Sequence, residues 1–158
     1  EFSGSGASLT DVTSITAYAK FFGTGTTDWN IDTLGVRSWM NTTPDFSATP
    51  SGSWSATSSA ITVPVAGLWQ ITVNLYFTGT PTRGNPRISV AINGTVQDER
   101  TAHSYLRNGS GHAESSANGQ FIYQLSASDT VGLASQRLAG AGAMNTGTES
   151  AITLVRLA

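Results

Sequence analysis

The sequence has no cysteine and few charged residues. Without cysteine there is no thiol nucleophile, no Cys-based zinc site and no disulfide framework, so the fold must be held by its core alone. Charged residues make up 11% of the 158 positions, and the formal net charge is −2. Lys20 is the sole lysine, and the arginines form no run. That leaves no basic stripe to follow a phosphate backbone, and no nucleic-acid partner is expected. No apolar run approaches the roughly 20 residues of a helical membrane span, so no membrane insertion is expected. No segment shows a sustained helical period, and no internal repeat is present. A chain of this length is one domain's worth and can bury a core without staples.

What the sequence does have is alternation. Trp69, Ile71, Val73, Leu75 and Phe77 recur at every second position, with Gln70, Thr72, Asn74 and Tyr76 between them. Period 2 with β-branched and aromatic residues on one side is the pattern of a strand with one buried face. Pro64 and Gly67 precede it, where a turn accommodates a missing N–H or a positive φ. This strand is expected to be the central strand of an antiparallel β-sandwich.

The remaining segments are organised around it. Residues 1–7 (Glu-Phe-Ser-Gly-Ser-Gly-Ala) read as a cloning scar and flexible linker, which leaves 8–158 as a single domain cut from something longer. Residues 14–22 predict a first strand. Residues 41–60 form a Ser/Thr/Pro-rich connection that suits a Greek key. Ile88, Val90 and Ile92 alternate again, and Asn93-Gly94 then marks a type I′ hairpin, whose central positions both need positive φ. Residues 103–118 are the longest polar loop. Residues 119–125 predict another strand, with Phe121, Tyr123 and Leu125 on one face. Val131, Leu133 and Ser135 continue after a turn at 126–129, and residues 151–157 form a closing strand. Eight to ten strands at this spacing imply an all-β sandwich.

The series Ile61, Val63, Pro64, Gly67, Trp69, Ile71 and Val73 resembles the signature of the C1q/tumour necrosis factor jelly-roll family. Residues 126–133 resemble the family's later Gly-Asp-x-Val turn and strand, with Ser128 where Gly is usual. Residues 150–154 resemble its closing strand. The resemblance spans about residues 54–157, with Trp69 in place of the usual Tyr and with Ile71 and Val73 in place of aromatics. It implies an antiparallel jelly-roll β-sandwich of about ten strands, assembled as a homotrimer, that binds partners and performs no chemistry. Tyr76, on the polar face of the anchor strand, and Tyr123 are the candidates for the trimer interface.

The sequence offers little for catalysis. No Gly-x-Ser-x-Gly elbow is present. Asp98 and Glu99 are adjacent on a strand, so their side chains point to opposite faces and cannot act as a glycosidase pair. His103, His112 and Glu114 are metal-ligand types, but their spacing matches no motif, and neither metal nor cofactor is expected. Asn41, Asn93 and Asn108 begin formal glycosylation acceptors of the kind that Ser/Thr-rich chains produce by chance. Asp129 is expected to cap its own turn.

Binding is expected in the polar loops that a rigid sandwich presents. The candidates are Arg83 and Asn85 in one loop, and His103, Tyr105, Arg107, Asn108 and His112 in another. Tyr105 and Arg107 pair a stacking ring with a fork of donors suited to sugars or carboxylates. The expected function is a trimeric attachment module on an extracellular or virion surface. It would be the receptor-binding tip or decoration knob of a bacteriophage, meeting a host cell-surface receptor or glycan. The alternative is a carbohydrate-binding or adhesion module of a secreted microbial protein, with Trp29 or Trp54 as an exposed stacking platform.

Overall fold

Trp69, Ile71, Val73, Leu75 and Phe77 line one face of a 13-residue strand, and none is more than 1% exposed. At about 1.5–3 kcal/mol for each fully buried large apolar side chain, this row is a principal source of stability. The computed structural model describes residues 17–25, 27–50, 52–79, 83–107 and 113–158, with backbone alone at 99–101. Among these the chain forms twelve strands and no helix: β1 Tyr18–Phe22, β2 Gly35–Val36, β3 Phe46–Ala48, β4 Ser55–Ala56, β5 Ala60–Thr62, β6 Gly67–Gly79, β7 Asn85–Ile92, β8 Thr95–His103, β9 Glu114–Leu125, β10 Thr130–Ala139, β11 Met144–Thr146 and β12 Ala151–Arg156. No helix long and apolar enough to cross a membrane occurs among the described residues.

The strands pair antiparallel into two sheets. The first runs β3-β1-β12-β6-β9, with β11 pairing β6 beyond the end of β12. The second runs β4-β5-β10-β7-β8, with β2 pairing β10 beyond β5. The anchor strand β6 is therefore interior to its sheet, as its pattern predicts. The chain passes from one sheet to the other at every step between consecutive strands except β4 to β5, β7 to β8 and β11 to β12. These crossings make a jelly-roll sandwich rather than a meander.

The core fills the space between the sheets. Ile88, Val90, Val131 and Leu133 of the second sheet face the β6 row, each no more than 1% exposed. Trp29 and Trp39, from the connection before β3, close one end. Their rings meet edge to face at 5.7 Å, and Trp29 meets Phe77 at 6.0 Å. Trp54 packs edge on against Trp69 at 5.7 Å. Such contacts add to the stabilisation that burial alone provides.

The Asn93-Gly94 hairpin joins β7 and β8, with φ of 50° and 76°. Asn93 also ties this hairpin to the turn before β10. Its amide donates to Asp129 Oδ1 at 2.8 Å, and its Oδ1 accepts the Thr130 N–H at 2.8 Å. Asp129 Oδ2 accepts the Ser126 N–H at 2.7 Å, so Asp129 does cap its own turn. The hydrogen bond from Asn93, then that from Ser126, holds the Asp129 carboxyl below the usual range. Ser128 in the same turn has φ 72°, the left-handed conformation that explains why a glycine suits this position.

The first expected strand is described as Tyr18–Phe22, and residues 14–16 lie outside the described residues. One element boundary differs from expectation. The expected polar loop at 103–118 is shorter, because β8 runs to His103 and β9 starts at Glu114. Residues 115, 117 and 119 are the small residues Ser, Ala and Gly, whose inward turn produces no hydrophobic contrast in the sequence.

Candidate functional site

β7 and β8 continue their pairing beyond their formal ends. Arg87 stands opposite His103. The Ser104 N–H donates to the Pro86 carbonyl at 3.2 Å, and Gly84 and Leu106 exchange N–H···O bonds of 2.8 and 2.9 Å. The same register places Asn85 opposite Tyr105 and Arg83 opposite Arg107. Gly84, Pro86, Ala102, Ser104 and Leu106 are buried, whereas residues 83, 85, 87, 103, 105 and 107 are exposed or half-buried. Two loops far apart in the sequence thus become a three-rung ladder on the outward face of the second sheet. It unites five of the expected binding residues: Arg83, Asn85, His103, Tyr105 and Arg107. Asn108 and His112 lie outside the described residues.

Neighbouring loops hold the ladder in place, and sequence reasoning missed the residue that ties them together. Asn30 is only 2% exposed. Its side-chain N–H groups donate to the carbonyls of Gly142 at 2.9 Å and Gly140 at 3.4 Å, and its Oδ1 accepts the Asn85 N–H at 3.2 Å. Asp28 Oδ1 fixes the same segment by accepting from the backbone N–H of Asn30 at 2.9 Å and of Met144 at 3.0 Å. Gly140 has φ 76°, and a Cβ there would stand 2.2 Å from the Arg83 carbonyl oxygen. Only glycine lets these two backbones approach so closely. On the other side, the Ser104 hydroxyl donates to the Ser116 carbonyl at 3.1 Å, and the Ser115 hydroxyl to the Tyr105 carbonyl at 2.7 Å.

The charges of this face are unequally compensated. Arg87 meets Asp98 at 3.3 Å and the Gln136 side-chain oxygen at 3.1 Å. Arg137 pairs with Asp32. Arg37 donates to the Ser135 hydroxyl, the Ser135 carbonyl and the Thr33 carbonyl, each at 2.7 Å. Burial pushes its guanidinium down, and Asp28 partly offsets the effect. Among the described residues, Arg83 and Arg107 form no ion pair. Tyr105 is 54% exposed, and Leu138 nearby is 49% exposed.

The outward face of the first sheet is the second surface of interest. Ile122 of β9 lies opposite Gln70, which lies opposite Val155, which lies opposite Tyr18. Tyr18 and Phe46 rings meet at 6.0 Å, and Lys20 Nζ sits 4.5 Å above the Phe22 ring. Ile122 and Phe46 are about half exposed, at 48% and 49%. Tyr76 is on this outward side, as its position in the alternation requires. Its backbone exchanges hydrogen bonds with the Ser150 hydroxyl at 3.0 and 3.1 Å, and its ring packs on Gly147. Its hydroxyl donates to Glu114, which raises the phenol pKa, and the negative charge of Glu149 adds to the shift.

Tyr123 shares the inward row of β9 with Phe121 and Leu125, as the alternation predicts, stands opposite Trp69 and packs against the core. The exposed apolar residue of the outward row is Ile122. One expectation is corrected here, the exposed tryptophan platform. Trp29 is fully buried, and Trp54 is half-buried against Trp69 and Phe21.

Among the described residues, no three His, Asp, Glu or Cys side chains converge as a metal site would require. An open groove of about 700 Å³ lies between Phe22, Gly23, Thr24, Asn41, Thr148 and Glu149. Glu149 is the one ionisable side chain in its lining.

No protein-family model matches the chain, and no curated protein matches it. Solved structures do. Eiger TNF from S. frugiperda aligns over 91% of this chain and 94% of its own, with a TM-score of 0.59 at 19% identity. Murine APRIL at pH 8.0 aligns over 89% and 98%, with a TM-score of 0.58 at 12% identity. Its structure at pH 5.0 aligns over 90% and 99%, with the same TM-score and identity. At such identities the likeness is one of fold, and the fold is a TNF/C1q-like jelly roll.

Proposed function

We propose that this chain is a non-enzymatic, homotrimeric attachment module that meets a cell-surface receptor or glycan. The observation that carries the reading is the division of labour between the two sheets. The outward face of the first sheet bears exposed Ile122 and Phe46, with Val155 and Tyr18 between them in the pairing. Beside it lies the 12-residue strand β9, whose strand partner among the described residues is β6. An exposed apolar face invites association and is normally covered. A second copy of the chain, related by a threefold axis, would cover this face, with Tyr76 and Ile122 in the contact and Tyr123 behind it. The ladder on the second sheet stays free for a partner.

The proposed setting is extracellular or on a virion surface, at the receptor-binding tip or as a decoration knob of a bacteriophage. The absence of cysteine and the preference for arginine over lysine support a microbial or phage source. The likeness in fold to Eiger TNF and APRIL supports a ligand-type role. Three copies of the ladder would engage a surface together, so modest contacts would add up by effective concentration.

The test is attachment to intact cells. Fluorescently labelled domain is applied to a panel of bacterial strains, with excess unlabelled domain as competitor. Saturable, competed binding to a subset of strains is the expected result. Absence of competed binding on every strain would overturn the proposed setting.

A further inference from the structure

The outermost rung of the ladder is chemically unusual. Cross-strand neighbours in an antiparallel pair favour opposite charges, and like charges directly opposite are unfavourable. Arg83 and Arg107 occupy opposite positions there, one residue beyond the Gly84–Leu106 hydrogen-bonded pair. Such a flanking position is of the non-hydrogen-bonded kind, where Cα atoms lie about 4.5 Å apart and side chains are close. Both residues are exposed, and among the described residues neither has an ion-pair partner. The inner rung shows how this face otherwise treats an arginine, because Arg87 is matched by Asp98 and Gln136. At the tip positive charge is left without an ion pair, and Gly140 and Asn30 hold the backbone there in place.

The middle rung indicates what kind of anion fits. Tyr105 presents an exposed ring opposite Asn85, whose backbone is engaged by Asn30. An aromatic face beside an amide and two guanidinium forks matches a sugar ring that carries a carboxylate. A nucleic acid fits poorly, because two free arginines on a chain of net charge −2 cannot track a phosphate backbone.

We propose that Arg83 and Arg107 together clamp the carboxylate of an acidic polysaccharide, with its sugar ring resting on Tyr105. This deepens the attachment reading, and rests on it, by naming the partner as a carboxylated glycan.

The experiment is biolayer interferometry of the intact domain against immobilised polygalacturonate and polysialic acid. Methyl-esterified polygalacturonate, dextran sulfate and polyglutamate serve as comparisons. Binding is expected to at least one of the two carboxylated glycans, and not to the methyl ester. Arg83→Gln or Arg107→Gln should weaken it at least roughly tenfold, the loss expected for a charge-assisted bidentate contact. Tyr105→Ala should weaken binding to the glycan but leave any binding to polyglutamate unchanged. Arg156→Gln, distant from the ladder, is the charge control, and thermal melting confirms that each variant folds. Equal binding of dextran sulfate and polyglutamate, insensitive to Tyr105→Ala, would overturn the glycan and leave a general anion patch. Failure of both carboxylated glycans to bind would overturn the inference, yet competed attachment of the same sample to cells would leave the attachment reading standing. Loss of both would remove the two together.

Discussion

Asn30 is the residue whose replacement should be felt furthest from its own position. Asn30→Ala removes two donated hydrogen bonds, to the carbonyls of Gly142 and Gly140, and the oxygen that accepts the Asn85 N–H. A neutral hydrogen bond is worth about 1 kcal/mol net, and a buried polar group left without a partner costs about 1–3 kcal/mol. The site is 2% exposed, so water compensates little, and a loss of about 2–5 kcal/mol is expected. For a chain of this size that corresponds to a fall in Tm of roughly 5–15 °C. Asn30→Asp separates the hydrogen-bond argument from simple loss of volume. It keeps an oxygen for Asn85 but turns a second one toward two carbonyls, so its stability should fall further as the new carboxyl ionises with rising pH. The assay is calorimetric melting of the three proteins between pH 4 and pH 8, set on either side of the ordinary carboxylate range. If Asn30→Ala melts within about 1 °C of the wild type, or Asn30→Asp shows no additional pH dependence, the knot is not holding the loops.

Two other perturbations probe the frame. Trp69→Ala empties a fully buried position of the β6 row and should cost about 3–5 kcal/mol in urea unfolding; a cost below about 1 kcal/mol would mean that the row is not the core. Asp129 has a depressed folded pKa, so its contribution is present above the unfolded carboxylate value and is lost as pH falls through the folded one. The stability difference between wild type and Asp129→Asn should therefore shrink on acidification through that window. A difference independent of pH would contradict the hydrogen bonds from Asn93 and Ser126.

Legibility in the sequence follows contrast between neighbouring residues. The β6 row and the Asn93-Gly94 hairpin could be read because large apolar residues alternate with polar ones and because a type I′ turn restricts its residues. The start of β9 could not, since Ser115, Ala117 and Gly119 turn inward without differing much from the polar residues beside them. The period placed Tyr123 on one face with Phe121 and Leu125, and that face is the inward one. The five ladder residues were chosen one loop at a time for their chemistry. Their convergence depends on Gly84 pairing with Leu106, a non-local bond with no local signal. Asn30 was missed because a single asparagine between Trp29 and Ile31 looks like any loop residue, and only the backbones that converge on it reveal its role.

The claim on which the functional account rests is self-association through the outward face of the first sheet. Sedimentation equilibrium at micromolar concentration measures it most directly. A mass of about three times the 16.4 kDa of the chain is expected, falling to the single-chain mass in Ile122→Glu with an unchanged circular dichroism spectrum. A wild-type protein that sediments as a single chain would contradict it.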